Sequence, residues 1–96
     1  MSLENIRKEI DKIDAQLVPL LKERMGCSLK VAEIKRQQNL PVLNEKREQE
    51  IIDTVTSAGG EFGSYIASVY REIMGVSREA QQAELAPFGL LASPRS

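Results

Sequence analysis

The sequence predicts an all-α protein of three helices, the first of them very long. Three observations carry that reading. Apolar residues recur at alternating spacings of three and four from Leu3 to Ile34, the period of one helix face. Two breaker clusters, Leu40-Pro41 and Ala58-Gly59-Gly60, then divide the chain into segments of helical period. The composition, 42% hydrophobic, 28% charged and only 4% aromatic, is that of a helical domain, and no strand pattern competes.

The first helix follows a heptad-like seam of Leu3, Ile6, Ile10, Ile13, Leu17, Leu20, Arg24, Cys27, Val31 and Ile34, in which Arg24 alone is not apolar. Leu21 widens it. Pro19 removes one backbone hydrogen bond and crowds the preceding turn, but the seam keeps its phase across it, so a kink is expected and not an end. The helix should stop near Gln38-Asn39, because the residue before Pro41 disfavours helical backbone.

Asn44 is a good N-cap for a second helix from Glu45 to about Thr56, with Ile51, Ile52 and Val55 as its apolar face. A third helix is expected from about Phe62 to Leu85, with Phe62, Ile66, Val69, Tyr70 and Ile73 on one face. Residues 1–85 thus form one helical domain. Pro87, Gly89 and Pro94 break any period in 86–96, which reads as a flexible C-terminal tail or linker.

Size adds an expectation about assembly. A helix from Leu3 to Gln38 would be roughly 50 Å long at 1.5 Å per residue, far beyond a globule with a radius of gyration of about 13 Å. Two shorter helices cannot cover its seam, so a homodimer is expected, with the long helices crossing or lying alongside each other.

Composition also excludes function classes. A net charge of −1 gives no global attraction to nucleic acid or to an anionic membrane, and no apolar run is long enough to span a bilayer. Histidine is absent and Cys27 is the single cysteine, which removes the commonest general base, most metal sites and any intramolecular disulfide. Neither a metal nor a cofactor is expected. Met1-Ser2-Leu3-Glu4 does not open like a signal peptide, and a lone thiol fits a reducing compartment, so a soluble cytoplasmic domain is expected.

The informative residues are polar ones at apolar positions. Arg24, taken alone, reads as half of an ion pair across a dimer, since an unpaired buried guanidinium is costly. Lys35 lies eleven residues on, only about 20° off the same face; alone it reads as a solvated lysine near a helix end, but with Arg24 it can converge on a ligand between them. Arg7 points about 100° away from Arg24; taken singly it reads as surface charge, and in an antiparallel or crossed dimer it could reach the partner's site. Glu48 precedes Ile51, Ile52 and Val55 by three, four and seven residues and shares their inward face. Arg47 either adds charge there or pairs with an acid. Ser77 and Gln81 extend the stripe of Ile66, Tyr70 and Ile73, as a polar helix end or as neutral donors. Together these residues suit a small anion such as a dicarboxylate, and a reaction that needs positioning and charge stabilisation instead of a nucleophile and base.

Three pieces of the first segment, Ile6-Arg7-Lys8-Glu9-Ile10-Asp11, Leu20-Leu21-Lys22-Glu23-Arg24 and Val31-Ala32-Glu33-Ile34-Lys35, resemble the first helix of the all-helical (AroQ-class) chorismate mutases. Pro41-Val42, Arg47-Glu48 and Ser77 to Gln81-Gln82 are similar to that family in the expected order, so the resemblance spans about residues 3–85. It implies a three-helix protomer in an intertwined homodimer, and the Claisen rearrangement of chorismate to prephenate in phenylalanine and tyrosine biosynthesis. It also implies roles. Arg7 of the other protomer and Arg24 would hold the substrate carboxylates, with Ser77 helping. Lys35 and Gln81 would donate to the ether oxygen, and Glu48 would take the ring hydroxyl. Arg47 would support the site, and Asn44 stands where an aspartate is frequent. A unimolecular rearrangement needs no cofactor or general base, which agrees with the residue inventory. Two rivals remain on the sequence: an isochorismate-pyruvate lyase on the same scaffold, and a non-catalytic helical dimerisation or regulatory module.

Overall fold

A computed structural model describes residues 1–85; the segment 86–96, expected as a tail or linker, lies outside the described residues. Within them run three α-helices, α1 (Leu3–Gln38), α2 (Glu45–Ala58) and α3 (Gly63–Leu85), with a 3-10 turn at Gly60–Phe62 and no strand.

The ends of α1 are set by local chemistry. The Ser2 hydroxyl accepts from the Asn5 amide at 3.1 Å, satisfying one orphan donor of the first turn. The helix continues through Pro19 without ending. It stops at Asn39, whose φ of 59° is left-handed, a conformation asparagine tolerates better than most residues. The Asn39 and Leu40 amides then return to the carbonyls of Arg36 and Lys35 at 3.3 and 2.8 Å.

Asn44 caps α2 as expected, its Oδ1 accepting from the Arg47 amide at 3.1 Å. The next connection differs from expectation. Gly60 adopts a φ of 56° and Phe62 donates to the Gly59 carbonyl at 2.9 Å, so Phe62 belongs to a 3-10 turn and α3 starts one residue later. Gly63 is buried against α2, and a β-carbon there would overlap the Thr56 carbonyl oxygen. The close turn therefore depends on that missing side chain.

The third helix packs against both others, while α1 and α2 do not pack on each other. Ile52, Ala67 and Met74 form the buried cluster, with Ile51 and Tyr70 against it. On α3 the buried positions are Gly63, Ala67, Met74, Ser77 and Gln81, whereas Phe62 and Val69, expected on one face with Ile66, Tyr70 and Ile73, are 59% and 55% exposed. The inner face is thus rotated from the one expected, because it must meet α1 and α2 at once.

The packing of α1 is instructive. Its buried residues are Ser28 and Ala32, flanked by half-buried Arg24 and Lys35, and residues 3–23 are exposed throughout. Small side chains at 28 and 32 let α3 approach, where seam-sized residues would hold it off. The leucine and isoleucine seam stays uncovered, from Leu3 at 65% to Ile34 at 51%. The protein measures 53 × 31 × 17 Å with a radius of gyration of 16.6 Å, well above that of a compact globule. Among the described residues, no helix is long and apolar enough to cross a membrane.

Candidate active site

Because α1 and α2 are both held by α3 and not by each other, a cleft remains between them with α3 as its floor. It encloses a cavity of about 310 Å³, at the lower edge of the usual size for small-molecule sites. Of the residues singled out on the sequence, Arg24 and Lys35 line it from α1, Arg47 and Glu48 from α2, and Ser77 and Gln81 from α3. Asn44 lines it from the loop before α2. Arg7 does not: it is exposed on the part of α1 that projects away from α3.

The cations are held by contacts within the protein. Arg24 donates from Nη1 to the Ser77 hydroxyl at 3.1 Å, and its guanidinium carbon lies 5.8 Å from the centroid of the Tyr70 ring. The two contacts fix the guanidinium across the α1–α3 interface, by hydrogen bond and by attraction to the ring face. Lys35 donates from Nζ to the Val42 carbonyl at 2.5 Å, which ties the end of α1 to the interhelix loop. An ammonium has three donors, so others are left for a ligand. The neighbouring acid Glu33 does not capture Lys35: its carboxylate pairs with Arg36, which holds it below the usual carboxylate range.

The neutral side of the site is buried. Ser77 and Gln81 are 6% and 8% exposed, and the Gln81 Oε1 atom has no hydrogen-bond partner among the described residues. Leaving a buried polar atom unpaired costs about 1–3 kcal/mol, so an amide in this state points to a ligand site and not to a finished core. Asn44 spends its Oδ1 on the α2 cap, and Arg47 sits 3.8 Å from Glu50 at the exposed rim.

A cavity lined this way offers fixed positive charge, one carboxylate and neutral donors. The profile of the family described as chorismate mutase type II matches residues 6–82, most of the chain and every cavity-lining residue named above. The chain belongs to the type II chorismate mutase family. It is 37% identical over 78 residues to the bifunctional chorismate mutase/prephenate dehydratase of Aquifex aeolicus, covering 75% of this chain and 22% of that protein. It is 42% identical over 53 residues to the chorismate mutase of Methanocaldococcus jannaschii, covering 55% of this chain and 54% of that protein. The chain therefore spans about a fifth and about half of the lengths of these two relatives. A solved structure described as a conserved hypothetical protein from Pyrococcus furiosus is similar at a TM-score of 0.67 and 39% identity, covering 82% of this chain and 93% of that one.

Two polar residues of this chorismate mutase-family cavity were not visible in the sequence reading. Ser28 is 8% exposed and lines the cavity between Arg24 and Lys35. Its position four residues after Arg24 was the available signal, since that spacing shares a helix face. Arg78 donates from Nη1 to both Glu48 oxygens, at 2.5 and 2.6 Å, across the α2–α3 gap. No local pattern announced that pair, because its partners lie thirty residues apart on different helices.

Proposed function

We propose that this protein is a chorismate mutase, rearranging chorismate to prephenate on the branch toward phenylalanine and tyrosine. The observation that carries the reading is the convergence of Arg24, Lys35, Glu48, Ser77 and Gln81 from three helices on one cavity, in a chain of this family. The substrate is a flexible dianion that reacts from a compact conformer. Arg24, already oriented by Ser77 and Tyr70, is suited to grip one carboxylate with parallel N–H bonds. Lys35 and the Gln81 amide are suited to donate to the ether oxygen as its bond to the ring breaks and negative charge develops there. Glu48 accepts the ring hydroxyl. Asn44 and Arg47 complete the α2 end of the site.

The functional unit in this reading is an intertwined homodimer. Its support is the seam along α1, where Ile10, Ile13, Leu17 and Leu20 are 46–60% exposed and no described residue packs over the first half of the helix. A second copy covers that apolar stripe and brings its own Arg7 to the cavity, as a further carboxylate ligand. Residues 1–85 are the catalytic unit, and the working compartment is the cytoplasm.

The test is direct. Purified protein added to chorismate should consume its ultraviolet absorbance and yield prephenate. Unchanged absorbance with folded protein would sink the reading, and turnover of isochorismate alone would transfer it to the lyase.

A further inference from the structure

The bidentate contact between Arg78 and Glu48 is not used by the reaction as described. Both residues line the cavity between α1 and α2, and their side chains are 37% and 26% exposed, so the pair is partly withdrawn from water. We infer that Arg78 is a positioning residue for the proposed reaction, one that neutralises Glu48 toward a dianionic substrate and aims its carboxylate at the substrate hydroxyl. The inference rests on the chorismate mutase reading.

Charge is the first argument. Arg24, Lys35 and Arg78 face the single carboxylate of Glu48, an excess of two positive charges for a ligand with two carboxylates. Arg47 is engaged with Glu50 at the rim and alters this balance least. Without Arg78 the excess falls to one, and Glu48 would face the incoming dianion uncompensated. At partial burial such repulsion is stronger than on an open surface.

Direction is the second argument. Glu48 and Arg78 also line a second recess of about 410 Å³ between α2 and α3, together with Glu45, Gln49 and Arg71. The pair is therefore a wall between that recess and the cavity, and an unpaired Glu48 would have somewhere else to turn. One guanidinium nitrogen bridging both carboxylate oxygens restrains the carboxylate, yet leaves lone pairs for a hydroxyl, since a carboxylate has about four. Arg78 itself is held in place by α3, the same helix that presents Ser77 and Gln81.

The test is a double-mutant cycle in steady-state kinetics with chorismate, using Arg78→Met, Glu48→Gln and the double variant. Arg78→Met should raise KM at least about tenfold and lower kcat less, because it leaves a carboxylate unpaired before a dianion. In the Glu48→Gln background the same change should alter KM by less than about threefold, since the charge it answers is gone. Arg78→Lys, which restores the charge without the planar fork, should recover most of KM. Should Arg78→Met not fold, Arg78→Gln repeats the comparison. Equal KM effects in both backgrounds, or none in either, overturn the assignment. An inactive wild-type chain overturns the chorismate mutase reading and this inference together; an active one with equal effects overturns the inference alone.

Discussion

Gln81 occupies the most demanding position in the cavity. Its side chain is buried and its Oε1 has no hydrogen-bond partner among the described residues; that oxygen only accepts, so donation to a ligand falls to Nε2. In the proposed role the amide donates to the ether oxygen, and this makes a sharp demand on protonation. A carboxyl group donates only when protonated, and burial favours its neutral form. For Gln81→Glu, kcat/KM should therefore be low at neutral pH and rise as pH falls, while wild type lacks that rise. A pH-rate profile of the two proteins checks it, and equal activity at pH 7 would remove Gln81 from the proposed chemistry. Arg24 makes the complementary point. Its guanidinium is oriented by Ser77 and Tyr70, contacts within the protein that restrict how it can be presented to a carboxylate.

Among the elements, α3 organises the molecule, and the turn that delivers it is closely packed against α2. Gly63 fits against the Thr56 carbonyl only because it has no β-carbon. In an exposed helix, glycine to alanine gains about 1 kcal/mol of helix propensity. Here the overlap is with backbone, which cannot rotate away, and overpacking of this kind costs about 1–3 kcal/mol. Gly63→Ala should therefore lower Tm, measured by circular dichroism; a raised Tm would mean that the α2–α3 joint has room for a β-carbon. The effect should reach the site as well, because α3 carries Ser77, Arg78 and Gln81 opposite α2.

At the scale of the whole molecule, the dominant feature is an apolar seam that no other described residue covers. The stretch from Leu3 to Leu20 projects roughly 25 Å at 1.5 Å per residue, and its apolar side chains remain exposed. A stripe of that length marks an association surface in most water-soluble proteins. Sedimentation should give twice the 10.7 kDa chain mass at assay concentrations, and a monomer would count against the dimer. Sharing of sites follows from the same geometry. Arg7→Ala and Lys35→Ala homodimers should each be impaired, whereas an equal mixture after subunit exchange should regain about a quarter of wild-type sites, one intact site per heterodimer. No recovery after proven exchange would keep Arg7 out of the partner's cavity.

The sequence by itself determined the helices, for physical reasons that act locally. The three-and-four spacing set α1, Asn44 set the start of α2, and Leu40-Pro41 and the Gly59-Gly60 pair set the breaks. It also brought forward Arg24, Lys35, Glu48, Ser77 and Gln81, because a polar residue in phase with an apolar face is a local anomaly. Tertiary structure decided which faces meet. The stripe of α1 that packs on α3 runs through Ser28 and Ala32 and not along the longer apolar seam, since close approach favours small residues and hydrophobicity is only one term. It alone decided the partner of Glu48. A bond between residues thirty positions apart depends on how two helices lie across a gap, and no periodicity within either helix records that.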